Sequence, residues 1–210
     1  MSLAFLSAAT DGGAVARSPM ERQAAAAGAR FELRDGWNVA VAYPGEDAAA
    51  GGWADVSHLR KIELHGAPGV ELELGSATRL DGAWWCPLTA DRTLVIGGEP
   101  GARAGTASAV DVTSSYGALA LTGAAARTIF SRFTAIDVRE ASLPVGGLRP
   151  GSVARTPGML LREGPQRFLM LFGWALGEYM WTVVADAADG TAARPLGIDA
   201  LPAPGVPVDA

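Results

Sequence analysis

Apolar and polar residues alternate along Trp53-Ala54-Asp55-Val56-Ser57-His58-Leu59-Arg60-Lys61-Ile62-Glu63-Leu64-His65-Gly66, and the run from Val110 to Gly123 repeats the scheme. Each run opens on an Asp-Val-hydroxyl triplet, Asp55-Val56-Ser57 or Asp111-Val112-Thr113, enters a strand of period two and stops at a glycine, Gly66 or Gly123. This recurrence predicts one domain over 18–188 made of two related halves, about 18–100 and 108–188. An Asp ahead of a hydroxyl residue folds its carboxylate onto nearby backbone N–H groups, so Asp55, Ser57, Asp111 and Thr113 are expected to hold turns.

Around these runs the pattern predicts a mixed α+β chain. Residues 1–17 lack periodicity and are expected to be mobile. Ser18-Pro19-Met20-Glu21 reads as a helix start, and Gly28 as its end. Phe31 and Leu33, then Trp37, Val39 and Val41, predict a hairpin turning at Asp35-Gly36. Val70-Glu71-Leu72-Glu73-Leu74 alternates strictly and predicts a strand with both Glu side chains in solvent. Residues 84–88 and 93–97 are short strands, and 99–108 link the halves. Ala126, Ile129, Phe130 and Phe133 form a helical stripe behind Gly123. Residues 159–161 and 168–172 flank Glu163-Gly164-Pro165-Gln166 as a hairpin whose second strand is buried on both faces. Leu176, Tyr179, Met180, Val183, Val184 and Ala187 set the apolar face of a last helix and leave Trp181 outside it. Residues 189–210, rich in proline, are expected to stay disordered or drape over a neighbour.

Composition narrows the partners. A formal net charge of −5 opposes attraction to nucleic acid or anionic membrane. The hydrophobic share is 49% against 19% charged, an excess with two sources: a surface covered by another subunit, or alanine inflating the count. For the first, Trp181, one of the adjacent pair Trp84 and Trp85, and the segment from Arg194 onward are the interface candidates. One cysteine, Cys86, and two histidines leave no disulfide and too few ligands for a structural zinc site, and a reducing cytoplasm is expected. No apolar run approaches the ~18 residues of a membrane span, and the N-terminus lacks the basic lead of a signal peptide.

Catalytic constellations are sparse. Gly97-Gly98-Glu99-Pro100-Gly101 has neither a dinucleotide fingerprint nor a Walker lysine. Cys86 between Trp85 and Pro87 reads as a buried, inert thiol. Ser57 and His58 are sequence neighbours on a turn, so their side chains diverge. His65, at the end of a strand face, is expected to be solvated, and no residue is assigned a catalytic role.

The two phrases resemble the aminomethyltransferase family, the folate-dependent proteins of glycine cleavage, and their relatives among sarcosine- and dimethylglycine-oxidising flavoenzymes. Residues 54–59 with the strand to Gly66 carry the likeness, as do Leu121-Thr122-Gly123 with its helix to Phe133, Asp137-Val138 and residues 148–156, over about 30–188 in all. The resemblance implies a folate-binding fold of two pseudo-symmetric α+β subdomains that exchange their first strands. The chain departs from that family in running directly through residues 157–164, without the hairpin bearing Asn-Glu-Gly-Gly and the folate-handling acid, and in leaving no room for a C-terminal barrel. A short member of this kind resembles the gamma subunits of heterotetrameric sarcosine oxidases. It implies a non-catalytic chain in a complex whose other subunits carry FAD, FMN, NAD and zinc, with tetrahydrofolate as one-carbon acceptor. The alternative is a stand-alone folate-binding enzyme or regulator using the groove between the halves, with Asp55, Asp111 and Glu63 as candidate acids.

Overall fold

The computed structural model describes residues 14–202. Along the chain the strands are β1 (Ala16–Arg17), β2 (Arg30–Arg34), β3 (Trp37–Ala42), β4 (Gly52–Asp55), β5 (Lys61–His65), β6 (Thr78–Leu80) and β7 (Ala83–Thr89). They continue as β8 (Arg92–Ile96), β9 (Ser108–Asp111), β10 (Tyr116–Thr122), β11 (Leu148–Val153), β12 (Thr156–Gly164), β13 (Arg167–Gly173) and β14 (Arg194–Pro195). The helices are α1 (Glu21–Ala26), α2 (Ala126–Ser131) and α3 (Gly177–Ala188).

Among the described residues these form three sheets, ordered β1-β3-β2, β11-β12-β13-β10-β4-β14 and β6-β7-β8-β5-β9. The repeated phrase builds the junction between the larger two. In the first copy β4 pairs antiparallel with β10 while β5, the strand that follows it, lies in the other sheet. In the second copy β9 pairs with β5 while β10 lies in the six-stranded sheet. Each turn therefore carries the chain from one sheet to the other. Gly66 (φ 110°) and Gly123 (φ 92°) end β5 and β10 in the left-handed region, where a side chain would be strained.

Between the sheets Leu94, Ile96, Cys86 and Trp84 of β7 and β8 pack on Ala118, Ala120, Leu161, Leu169 and Leu171. The opposite face of the six-stranded sheet, with Leu119, Leu121, Phe168, Met170 and Phe172, is covered by α1, α2 and α3. β13 is buried on both faces, as its unbroken apolar run requires.

Several expectations are corrected. Residues 14–17 are not free of structure, since β1 pairs parallel with β3. Helix α1 begins at Glu21 because Ser18-Pro19-Met20 form a turn, in which Ser18 Oγ accepts from Met20 N at 3.0 Å. Asp35 (φ 49°) and Gly36 (φ 79°) do make the hairpin turn, but Leu33 on β2 is 65% exposed. Residues 70–74 form no strand: Val70 and Leu72 turn inward against Ile62, Leu64 and Trp85 as the alternation demands, yet no neighbouring strand pairs with them. In α3 the buried face is Gly177, Met180, Trp181, Val184, Ala187 and Ala188, with Tyr179 exposed, one residue round from the expected stripe. The C-terminal segment is no free tail as far as Pro202. β14 lies parallel to β4, Leu196 N donates to Trp53 O at 2.8 Å, and a Cβ on Gly197 would overlap the Val41 carbonyl. Residues 1–13 and 203–210 lie outside the described residues.

Candidate functional site

The site grows from the two turns. Asp55 Oδ1 accepts from Ser57 N at 3.0 Å, and Asp111 Oδ1 accepts from Thr113 N at 2.9 Å. Each hydroxyl then serves the other copy: Ser57 Oγ accepts from Ala118 N, and Thr113 Oγ1 from Lys61 N, both at 3.0 Å. The next amides repeat this, with Val56 N donating to Ala118 O at 3.0 Å and Val112 N to Lys61 O at 2.9 Å. All four motif residues thus satisfy backbone groups at the sheet junction, the structural role their spacing suggests.

The two aspartates differ in setting. Asp55 is buried, accepts a short hydrogen bond from Ser18 Oγ, and has its pKa pushed up by burial. Asp111 is half exposed, faces Arg60 at 3.6 Å, and is held below the usual range chiefly by its bonds to Thr113. Between the turns Lys61 is fully buried, its Nζ donating to Ser57 O and Leu59 O at 2.8 Å each, and burial lowers its pKa to about 8. His58 projects from the first turn. Burial, with Lys61 and Arg34 nearby, lowers its pKa to about 4, so the imidazole is neutral at pH 7. It makes no hydrogen bond among the described residues.

His58, Leu59 and Gly97 form a wall shared by two concavities. The outer one is an open groove of about 830 Å³ bordered by Trp37, Arg60, Glu99 and Ser114. The inner one, about 360 Å³, is also open to solvent and is bordered by Trp84, Arg79, Glu163 and Arg167. A β-bulge between Arg162 and Gly164 turns Glu163 inward. There its Oε1 accepts from Trp84 Nε1 and its Oε2 from Arg167 Nε, both at 2.8 Å. Such a buried pair is strongly destabilised by removal of either partner, although the intact pair adds little net stability.

This cluster was not legible in the sequence, where Glu163 reads as a hairpin turn residue and Arg167 is unremarked; the bulge that re-aims the carboxylate leaves no spacing signal. Nor did the sequence mark Lys61 as buried, since it alternates with apolar residues like a solvated position.

The interface candidates lie inward. Trp181 is 7% exposed and packs edge-on against Trp53, with centroids 6.0 Å apart, and beside Tyr43 at 6.4 Å. Trp84 and Trp85 do face opposite sides of β7, but both sides are covered, one by the second sheet and the other by residues 70–72 and 104–107. The premise that two of these indoles stand in solvent is therefore corrected. Cys86 is buried and its thiol is pushed well up in pKa, an inert setting. His65, expected in solvent, is half exposed and its Nε2 meets Glu63 Oε1 at 2.8 Å, where Arg92 also binds. Ser57 Oγ is engaged with the Ala118 backbone rather than with His58. Among the described residues no group of three or more His, Cys, Asp and Glu could hold a metal, and no helix is long and apolar enough to cross a membrane.

No protein-family model matches the sequence, and no curated protein does. Solved structures do match. One is a chain of the heterotetrameric sarcosine oxidase from Corynebacterium sp. U-96, with TM-score 0.63, 20% identity, and coverage of 85% of this chain and 97% of that one. Another is the glycine cleavage system aminomethyltransferase T from Bartonella henselae, with TM-score 0.68, 16% identity and coverage of 89% of this chain. This chain spans 60% of that aminomethyltransferase. The mixed sheets joined by the two Asp-turn phrases are thus the aminomethyltransferase-like folate-binding fold, which this chain shares with both.

Proposed function

We propose that the chain is a non-catalytic, gamma-like subunit of a sarcosine-oxidase-type flavoenzyme, which oxidatively demethylates an N-methyl amino acid and passes the one-carbon unit to tetrahydrofolate. The observation that carries this reading is the extent of the likeness: 85% of this chain superposes on 97% of a chain of a heterotetrameric sarcosine oxidase. On this reading the partners hold FAD, FMN, NAD and zinc, the assembly is cytoplasmic, and the two halves are pseudo-symmetric subdomains that exchange β4 and β9. The reciprocal hydrogen bonds of Ser57 and Thr113 support that exchange. The engagement of Ser57 with backbone and the inert setting of Cys86 support a chain without its own covalent chemistry. Affinity purification from the native host tests the proposal. A co-eluting protein with a flavin spectrum and oxidase activity on an N-methyl amino acid supports it; a chain that elutes without flavoprotein overturns it.

A second reading, a stand-alone folate-binding enzyme or regulator, is favoured by one feature, the groove of about 830 Å³ lined by both turns and bordered by Asp111. Calorimetric titration of the isolated chain with tetrahydrofolate separates the two. Saturable micromolar binding favours the second, and its absence the first.

A further inference from the structure

We infer that the strap of residues 70–74 is a docking edge for an extended segment of another polypeptide, one that alternates basic and apolar side chains. The inference needs a partner chain but not its identity as part of a flavoenzyme.

The strap has the makings of a strand and lacks a neighbour. Val70-Glu71-Leu72-Glu73-Leu74 contains no proline, so each residue carries a backbone donor as well as an acceptor. Its side chains alternate, with Val70 and Leu72 packed on the cluster of Ile62, Leu64 and Trp85 and with Glu71 and Glu73 exposed. Among the described residues none of its five N–H groups donates a hydrogen bond, and of its carbonyls only that of Glu73 accepts one, from Ser76 N at 3.1 Å. Both flanks are nevertheless held. Gly69 N donates to Arg103 O at 2.9 Å and Ala77 N to Gly146 O at 2.6 Å, while the Gly75 carbonyl accepts from Leu148 N at 3.0 Å and from Arg149 Nη1 at 2.7 Å. The strap is thus fixed in place with its backbone groups unpaired, and a second strand can meet them without first ordering a loop.

Beside the strap lies a groove of about 180 Å³, walled by Val70, Leu72 and Leu74 on one side and by Pro87, Ala90 and Thr93 around the β7–β8 turn on the other. No charged side chain borders it, and Leu74 is 58% exposed. A strand added here sets every second side chain against this apolar groove. Its intervening side chains stand beside Glu71 and Glu73, neither of which has an ion pair or hydrogen bond through its carboxylate among the described residues. Opposite charges across a strand pair stabilise it and like charges destabilise it, so these positions select Lys or Arg. The same rule disfavours a second copy of this chain. Two straps paired antiparallel about Leu72 set Glu71 against Glu73 twice, on chains that each carry a net charge of −5.

The test is an NMR titration of the full chain, labelled at nitrogen, with two capped peptides, acetyl-Thr-Lys-Val-Lys-Val-Lys-Thr-amide and its counterpart with Glu in place of Lys. The expected result is a saturable shift at residues 70–74 with the lysine peptide, and slowed hydrogen exchange at alternate amides, either Glu71 and Glu73 or Val70, Leu72 and Leu74, because an added strand pairs along one edge only. The lysine peptide should bind at least about fivefold tighter than the glutamate peptide at low salt, and the preference should shrink as salt is added. Glu71→Lys combined with Glu73→Lys, both at exposed positions, should reverse the preference. No saturable shift, equal binding of the two peptides, or protection without alternation would each overturn the inference. So would the same protection arising without peptide as the chain is concentrated, which would place a second copy on the strap. The comparison of the two peptides on the unaltered chain needs no variant to fold.

Discussion

Ser57 and Thr113 hold each other's half of the chain: the Ser57 hydroxyl binds the Ala118 amide and the Thr113 hydroxyl binds the Lys61 amide, each at 3.0 Å. Both hydroxyl groups are buried, so deletion leaves an amide unsatisfied. Ser57→Ala and Thr113→Ala are each expected to lose about 1–3 kcal/mol in urea unfolding, while Thr113→Ser, which keeps the acceptor, should lose well under half of that. Equal losses for Thr113→Ala and Thr113→Ser would mean that the methyl group, not the hydrogen bond, does the stabilising.

His58 and Lys61 give the stability a defined pH dependence. Both are bases whose folded-state pKa lies below the ordinary value, about 4 against 6.5 and about 8 against 10.5. In each window the unfolded chain binds more protons, so stability rises with pH from 4 to 6.5 and again from 8 to 10.5, by up to about 3 kcal/mol each. Asp55, an acid with a raised pKa, opposes the first rise from its ordinary value of 3.8 upward. Melting temperature against pH should therefore flatten between 4 and 6.5 in His58→Asn and between 8 and 10.5 in Lys61→Met. An unchanged acid limb in His58→Asn would assign that limb elsewhere.

The β11–β12 hairpin turns on two non-glycine residues in left-handed conformation, Ala154 (φ 49°) and Arg155 (φ 61°). Ala154 is pinned by its N–H to Phe133 O (2.9 Å) and its carbonyl to Tyr179 Oη (3.0 Å), whereas Arg155 is solvent-facing. Arg155→Gly should relieve strain and raise stability by a few tenths to about 1 kcal/mol, because the relief exceeds the added chain entropy of glycine. A loss of stability on thermal melting would mean that Arg155 makes a compensating contact.

Trp181 belongs to the core with Trp53 and Tyr43. Trp181→Ala should destabilise the isolated chain by about 3–5 kcal/mol through the cavity it leaves. If the variant unfolds like the parent while assembly with a partner weakens, the indole acts at an interface instead.

How far the sequence could be read follows from these residues. Asp-Gly at the hairpin and the Asp-Val-hydroxyl triplets are local devices, and each sits where its spacing placed it. Trp181 was misplaced because a hydrophobic stripe defines a helix face only to within one residue, and the aromatic partners that decide the matter come from β4 and the loop after β3. Leu72 alternates like a strand residue yet has no strand beside it, since pairing is a property of neighbours and not of pattern. Glu163 is buried by a bulge and Lys61 by a sheet junction, both tertiary events. The inner cavity is built from residues on both sheets, and no short stretch of sequence announces it.

Subunit status is the account's central claim, and the native mass of the chain tests it most directly. A host extract is fractionated by size, with this chain followed by antibody and flavin by its fluorescence. The account predicts that the chain elutes far above its own 21.5 kDa, together with flavin and with oxidation of an N-methyl amino acid. Elution at the mass of the chain alone, with flavin elsewhere, would contradict it.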